Sequence, residues 1–134
     1  MKYVSLVLIS HSEEIVSGLK KLLNQVQPDV SIAVAGGNDG EIGTNAFRIK
    51  EAVESVYSEK GVVILFDIGS ALMNAELAME MLEKTDHIAI ADAPLVEGAY
   101  IAAVEAGLGK SLDEVVRACE QAKQMVKVVR SEVE

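Results

Sequence analysis

The run Val62-Val63-Ile64-Leu65-Phe66 carries no polar side chain at any position; Gly61 precedes it and Asp67-Ile68-Gly69-Ser70 follows. A strand that is apolar at both odd and even positions has no face to show to water, so both faces must be covered. Helices supply that cover when parallel strands are joined by right-handed crossovers. The chain therefore has to alternate strands with helices, and it does.

Tyr3-Val4-Ser5-Leu6-Val7-Leu8-Ile9 reads as a first strand, and Ile15, Leu19, Leu22, Leu23 and Val26 recur at helical spacing across Glu13 to Val26. Ser10 and Glu13 stand in the Ser-x-x-Glu relation of a capping box, which starts this helix at His11. Gln27-Pro28-Asp29 breaks the pattern, and Val30-Ser31-Ile32-Ala33-Val34 is a second strand. Ala35 to Thr44 holds four glycines and forms a loop; Thr44 caps a second helix with Ala46, Ile49, Val53 and Val56 on one face. A third helix carries Ala71, Ala75, Ala78 and Leu82 along one side, His87-Ile88-Ala89-Ile90 is a short fourth strand, and a fourth helix runs to about Ala106. Ser111 and Glu114 make another capping box, opening a long last helix with Val115, Cys119, Ala122, Val126 and Val129 inward. The charged tail after Val129 is expected to fray. The expected fold is α/β: a small doubly wound, mainly parallel four-stranded sheet with five helices, forming a single domain over residues 1–134.

Half of the 134 residues are apolar, enough for a core without metal or disulfide support. Cys119 is the one cysteine, so no disulfide framework exists and a reducing compartment is expected. The N-terminus lacks a signal-peptide pattern, and no apolar run approaches the ~20 residues of a membrane span, so a cytoplasmic protein is expected. The net charge of −9, with 21 acidic against 12 basic residues, opposes nucleic-acid binding. A small anionic substrate would depend on local donors such as helix N-termini, whereas a protein partner with a neutral or basic face fits the charge.

The two ends of the sheet differ in chemistry. Turns entering strands, such as Ser58-Glu59-Lys60-Gly61, are short and charged. Turns leaving strands carry Ser10-His11-Ser12, the glycine loop Gly36 to Thr44, Asp67-Ile68-Gly69-Ser70 and Asp92-Ala93-Pro94. In a parallel sheet all four lie on one edge, where α/β folds place their sites. His11 is either a structural histidine or a reactive one, and Asp67 on the same edge favours the second. A carboxylate accepting from one imidazole nitrogen fixes the tautomer and leaves the other as a nucleophile. Two readings of the glycine loop stand: backbone N–H groups of Gly36, Gly37, Gly40 and Gly43, with the Thr44 hydroxyl, surround a phosphoryl group, or the glycines only make a turn. No Walker or dinucleotide fingerprint is present. His87, at the opposite edge, is read as structural; Cys119 is read as core, and Met73, Met79 and Met81 as packing. With the two histidines at opposite edges no zinc site is expected, and no cofactor either. Asp67 also occupies the position of a response-regulator phosphorylation site, but Ser10-His11 stands where receivers carry acidic residues and Ala91-Asp92-Ala93-Pro94 offers no lysine.

Ser10-His11-Ser12, Ala35-Gly36-Gly37 with Gly40-Glu41-Ile42-Gly43-Thr44, Asp67-Ile68-Gly69-Ser70-Ala71 with Met73-Asn74-Ala75-Glu76, and Asp92-Ala93-Pro94-Leu95-Val96-Glu97-Gly98-Ala99 together form a spaced set. The set resembles the phosphocarrier (M) subunit of phosphoenolpyruvate-dependent dihydroxyacetone kinase, related to the mannose-type IIA domains of the sugar phosphotransferase system (PTS). The absence of a Gly-Gly-Ser-Pro-like segment after Asp67 favours the dihydroxyacetone branch over a sugar IIA domain. The resemblance implies a carrier whose His11 accepts a phosphoryl group, on Nε2, from phospho-HPr. It passes that group to ADP on the kinase L subunit, and the ATP formed serves the K subunit. It further implies that Asp67 orients His11, that Gly37, Gly43, Thr44 and Ser70 flank the phosphoryl group, and that the protein is a homodimer. The alternatives are a IIA component of a mannose-family sugar permease and a non-catalytic regulatory module that binds a partner through the same edge.

Overall fold

The structure is a computed structural model that describes residues 2–131. Its elements are β1 (Ser5–Ser10), α1 (Glu13–Val26), β2 (Ile32–Gly36), α2 (Ala46–Val56), β3 (Val62–Phe66), α3 (Ala71–Met81), β4 (Ile88–Ile90), α4 (Leu95–Gly107) and α5 (Leu112–Glu120), closed by a 3-10 turn, Gln121–Gln124. The four strands are parallel in the order β2-β1-β3-β4. This is the doubly wound sheet with five helices that the apolar β3 run demands.

Alternation along the strands divides the core in two. Leu6 and Leu8 of β1 and Val63 and Leu65 of β3 point to a layer with Val16, Leu19 and Leu23 of α1, Ala99, Ala102, Ala103 and Ala106 of α4, and Val115 and Cys119 of α5. Val7, Ile9, Val62 and Ile64 point the other way, to Ile49 and Val53 of α2 and Ala71, Ala75 and Ala78 of α3. The small residues of α4 let that helix approach β1 and β3 closely. Among the described residues no helix is long and apolar enough to cross a membrane.

Several local expectations are corrected. The helix after β1 starts at Glu13, not His11; Ser12 is its N-cap, and the Ser10 hydroxyl is engaged elsewhere. The buried face of α1 is Val16, Leu19 and Leu23, while Ile15, Leu22 and Val26 are exposed. Its rotation is set by Val16 and the Glu13 backbone, which lie so close to Gly36 that a Cβ there would meet them at 2.5 and 2.6 Å. Ala35 and Gly36, expected in the loop, extend β2. Asn45, not Thr44, caps α2, its side chain accepting from the Arg48 N–H at 3.2 Å. Met73 is exposed rather than packed. The last helix is shorter than expected: Val126 and Val129 are exposed, because apolar spacing beyond Ala122 runs past the core it would cover. Lys127 instead pairs with Glu97 of α4. The expected fraying after Val129 concerns a tail whose end lies outside the described residues. The capping box at Ser111 and Glu114 is formed in both directions.

Candidate functional site

A doubly wound sheet opens a crevice where consecutive crossovers leave in opposite directions, outside the carboxyl ends of the strands. Here that point lies between β1 and β3, since the chain goes from β1 to β2 on one side and then crosses to β3 on the other. The pairing of Ile9 with Phe66, extended by the Asp67 N–H donating to the Ile9 carbonyl at 3.2 Å, brings Ser10 and Asp67 together. On the other side Ser10 pairs with Gly36. His11, one residue on, emerges at the crevice.

His11 is held at four points. Its N–H donates to Asp67 Oδ2 at 3.0 Å, and its carbonyl accepts from the Gly43 N–H at 2.9 Å. Its Nδ1 lies 3.0 Å from Asp67 Oδ1, and its Nε2 lies 2.8 Å from Ser70 Oγ. Asp67 receives two further donors, the Ser10 hydroxyl on Oδ2 at 2.7 Å and the Ile68 N–H on Oδ1 at 2.6 Å. Partial burial is the largest single influence on this carboxyl and opposes its ionisation. The bonds from the Ser10 hydroxyl, the His11 and Ile68 N–H groups and the imidazole together outweigh it and hold the carboxyl below its ordinary value. An ionised Asp67 accepts the Nδ1 proton, so Nε2 carries the lone pair, accepts from the Ser70 hydroxyl and faces solvent.

The glycine loop is organised rather than loose. Asn38 and Glu41 exchange two backbone hydrogen bonds around Asp39 and Gly40, both at positive φ, a compact two-residue turn. The Gly37 N–H donates to the Ser10 carbonyl and the Gly43 N–H to the His11 carbonyl. Gly37 and Gly43 therefore flank His11 by gripping successive carbonyls of the chain, Gly37 that of Ser10 and Gly43 that of His11, so both N–H groups are already engaged. Asn74 of α3 donates to the Thr44 hydroxyl at 2.6 Å and to the Thr44 carbonyl at 3.3 Å, tying α3 to the loop. The fourth segment stands apart: the Asp92 N–H donates to Glu120, and its carboxylate receives Lys123 at 2.9 Å.

Helix ends near His11 differ in charge. The first turn of α1 holds Glu13 and Glu14, whereas those of α2 and α3 hold no acid. Ser70 is the N-cap of α3 but makes no side-chain cap, its hydroxyl facing His11 instead. The N–H groups of Gly69 and Ser70, both exposed, find no acceptor among the described residues. An anion at Nε2 would sit at this uncapped, uncharged helix start. Sequence reasoning named Ser10 and Asn74 within its motifs but gave neither a role in the site. Ser10 had a signal, a serine ending an apolar strand beside the aspartate of the neighbouring strand, but the capping-box pattern obscured it. At the far edge His87 is exposed, with φ of 67°, and its carbonyl accepts from Val62.

The chain is similar in sequence and fold to known proteins. The model of the family described as PTS system fructose IIA component matches residues 5–116. The chain is 39% identical to the phosphoryl donor subunit DhaM of PEP-dependent dihydroxyacetone kinase 2 from Listeria innocua, over 85% of this chain and 94% of that one. It is 44% identical to the phosphotransferase subunit DhaM of the PTS-dependent dihydroxyacetone kinase from Lactococcus lactis, over 76% and 83%. A Providencia stuartii DhaM is longer, so that 90% of this chain matches 27% of it at 36% identity. Among solved structures, protein EF1359, of unknown function, superimposes with a TM-score of 0.81 at 32% identity, covering 89% of this chain and 94% of that one. The mannose/sorbose-specific IIA subunit from Enterococcus faecalis shares the fold, with a TM-score of 0.59 at 18% identity over 98% and 99%.

Proposed function

The chain belongs to the PTS system fructose IIA component family, among the phosphoryl donor subunits of dihydroxyacetone kinases, and on that premise we propose that His11 is its phosphoryl carrier. The observation that carries this reading is the imidazole held between Asp67 at Nδ1 and Ser70 at Nε2. The Nε2 lone pair attacks phosphorus on the phosphohistidine of HPr. The donor's P–N bond breaks as the new one forms, and the donor imidazole leaves with its own proton. His11 keeps its Nδ1 proton, and the positive charge that grows on the ring is met by Asp67. Ser70 turns its hydroxyl from Nε2 to a phosphoryl oxygen, and the N–H groups of Gly69 and Ser70 donate to the others. Thr44 lies beside this helix start through Asn74.

The second half of the cycle delivers the group to ADP on the L subunit of a dihydroxyacetone kinase, whose K subunit uses the ATP. A carrier must be reached by two partners in turn, which fits a crevice mouth: the His11 side chain is 21% exposed. The same reading makes residues 1–134 one phosphocarrier domain that works as a cytoplasmic homodimer. Incubation with phosphoenolpyruvate, enzyme I and HPr is expected to place one acid-labile, base-stable phosphate on the protein, dischargeable to ADP when the L subunit is added. Phosphate retained in His11→Ala overturns the assignment. Discharge without the L subunit, to a sugar permease component, overturns the acceptor.

A further inference from the structure

Resting on the reading of His11 as carrier, we propose that Ser10 is a positioning residue: its buried hydroxyl fixes Asp67 so that Oδ1 meets Nδ1, which keeps the proton there and leaves Nε2 as the reacting nitrogen. Ser10 is completely buried, and its hydroxyl has two partners. The Ser12 N–H donates to Oγ at 3.0 Å, so the hydroxyl's own proton is directed to Asp67 Oδ2 at 2.7 Å.

Asp67 then has each oxygen filled by two donors: the Ser10 hydroxyl and His11 N–H on Oδ2, the Ile68 N–H and His11 Nδ1 on Oδ1. A carboxylate so filled has no place for a proton of its own, so it acts as an acceptor throughout the cycle. The terminal torsion of aspartate is otherwise broad, and a serine that pins one oxygen sets where the other points. Burial alone does not explain the two bonds. Ser5, equally buried on the same strand, has a hydroxyl with no partner among the described residues. Strand β1 therefore accommodates a serine without using it, and at Ser10 it uses both hydrogen-bonding capacities within the site.

The test compares wild type, Ser10→Ala, Asp67→Asn and the double variant as full chains. Phosphoryl transfer from phospho-HPr gives kcat and KM, and nitrogen-15 NMR of the unphosphorylated protein gives the His11 tautomer across pH. Ser10→Ala is expected to lower kcat about tenfold at unchanged KM, the effect of one lost hydrogen bond to a charged group. A share of His11 should appear protonated on Nε2 rather than Nδ1. In the Asp67→Asn background the same substitution should change little, because Ser10 acts through Asp67. Unchanged tautomers in Ser10→Ala, or a kcat loss that adds fully to that of Asp67→Asn, overturns the proposal. Wild type that takes up no phosphate overturns the carrier reading instead, while the tautomer measurement still reports on Ser10.

Discussion

At the scale of single residues, the chemistry is concentrated in Asp67. Its hydrogen bonds lower the folded-state pKa below the ordinary 3.8 despite partial burial. A depressed carboxyl contributes stability that is full above its unfolded value and is lost as pH falls through the folded one. Asp67→Asn is therefore expected to be less stable than wild type near pH 7, with the gap closing below about pH 4; urea denaturation at several pH values measures it. In phosphoryl transfer the same variant should lose about a hundredfold in kcat, the scale of removing a preorganised charge partner. A gap that does not narrow at all as pH falls below about 4, or an unchanged kcat, contradicts the role given to this carboxylate.

At the scale of elements, the site depends on how closely α1 lies on β2. Gly36 is the contact point: a Cβ there would meet Val16 Cγ2, the Glu13 Cα and the Ser12 carbonyl at 2.5, 2.6 and 3.0 Å. Two of those atoms are backbone, so Gly36→Ala has to push the start of α1 away from the sheet, and His11 and Ser12 lie on that connection. The expected cost is about 1–3 kcal/mol, as for other overpacked interiors. A fall in phosphorylation rate should accompany it. Thermal denaturation and the transfer assay measure the two effects, and a variant with wild-type stability would show that the helix moves freely on the sheet.

At the scale of the whole molecule, the two apolar layers close over the sheet and enclose the one cysteine. Cys119 lies in the layer of α1, α4 and α5, and burial, with Glu120 nearby, pushes its thiol up to about 11. Its Sγ contacts the Val116 carbonyl at 3.4 Å. Modification by a thiol reagent at pH 8 is therefore expected to be slow in the native protein and to follow unfolding across a urea series. Fast modification of native protein would mean that α5 opens separately from the rest.

Much of this was readable without coordinates, for a definable reason. Burial imposes period and composition, so the β3 run, the α2 face and the Ser111 capping box could be recognised locally, and parallel connectivity put His11 and Asp67 on one edge. Family resemblance sharpened the chemistry of the pair. Three-dimensional packing decided the rest. The Ser10 hydroxyl chose Asp67 over a helix cap because β-pairing set the carboxylate beside it. Contact with Gly36 set the rotation of α1, burying Val16 where apolar spacing had pointed to Ile15. The last helix stopped where the core stopped, and the glycine loop spent the Gly37 and Gly43 N–H groups on the Ser10 and His11 carbonyls. The sequence by itself determined which elements form and which residues share an edge, because those follow from local periodicity and chain order. Only the tertiary structure decided which hydrogen bond each polar group makes, because donors and acceptors distant in the chain compete for partners that exist only once the sheet has brought them within reach.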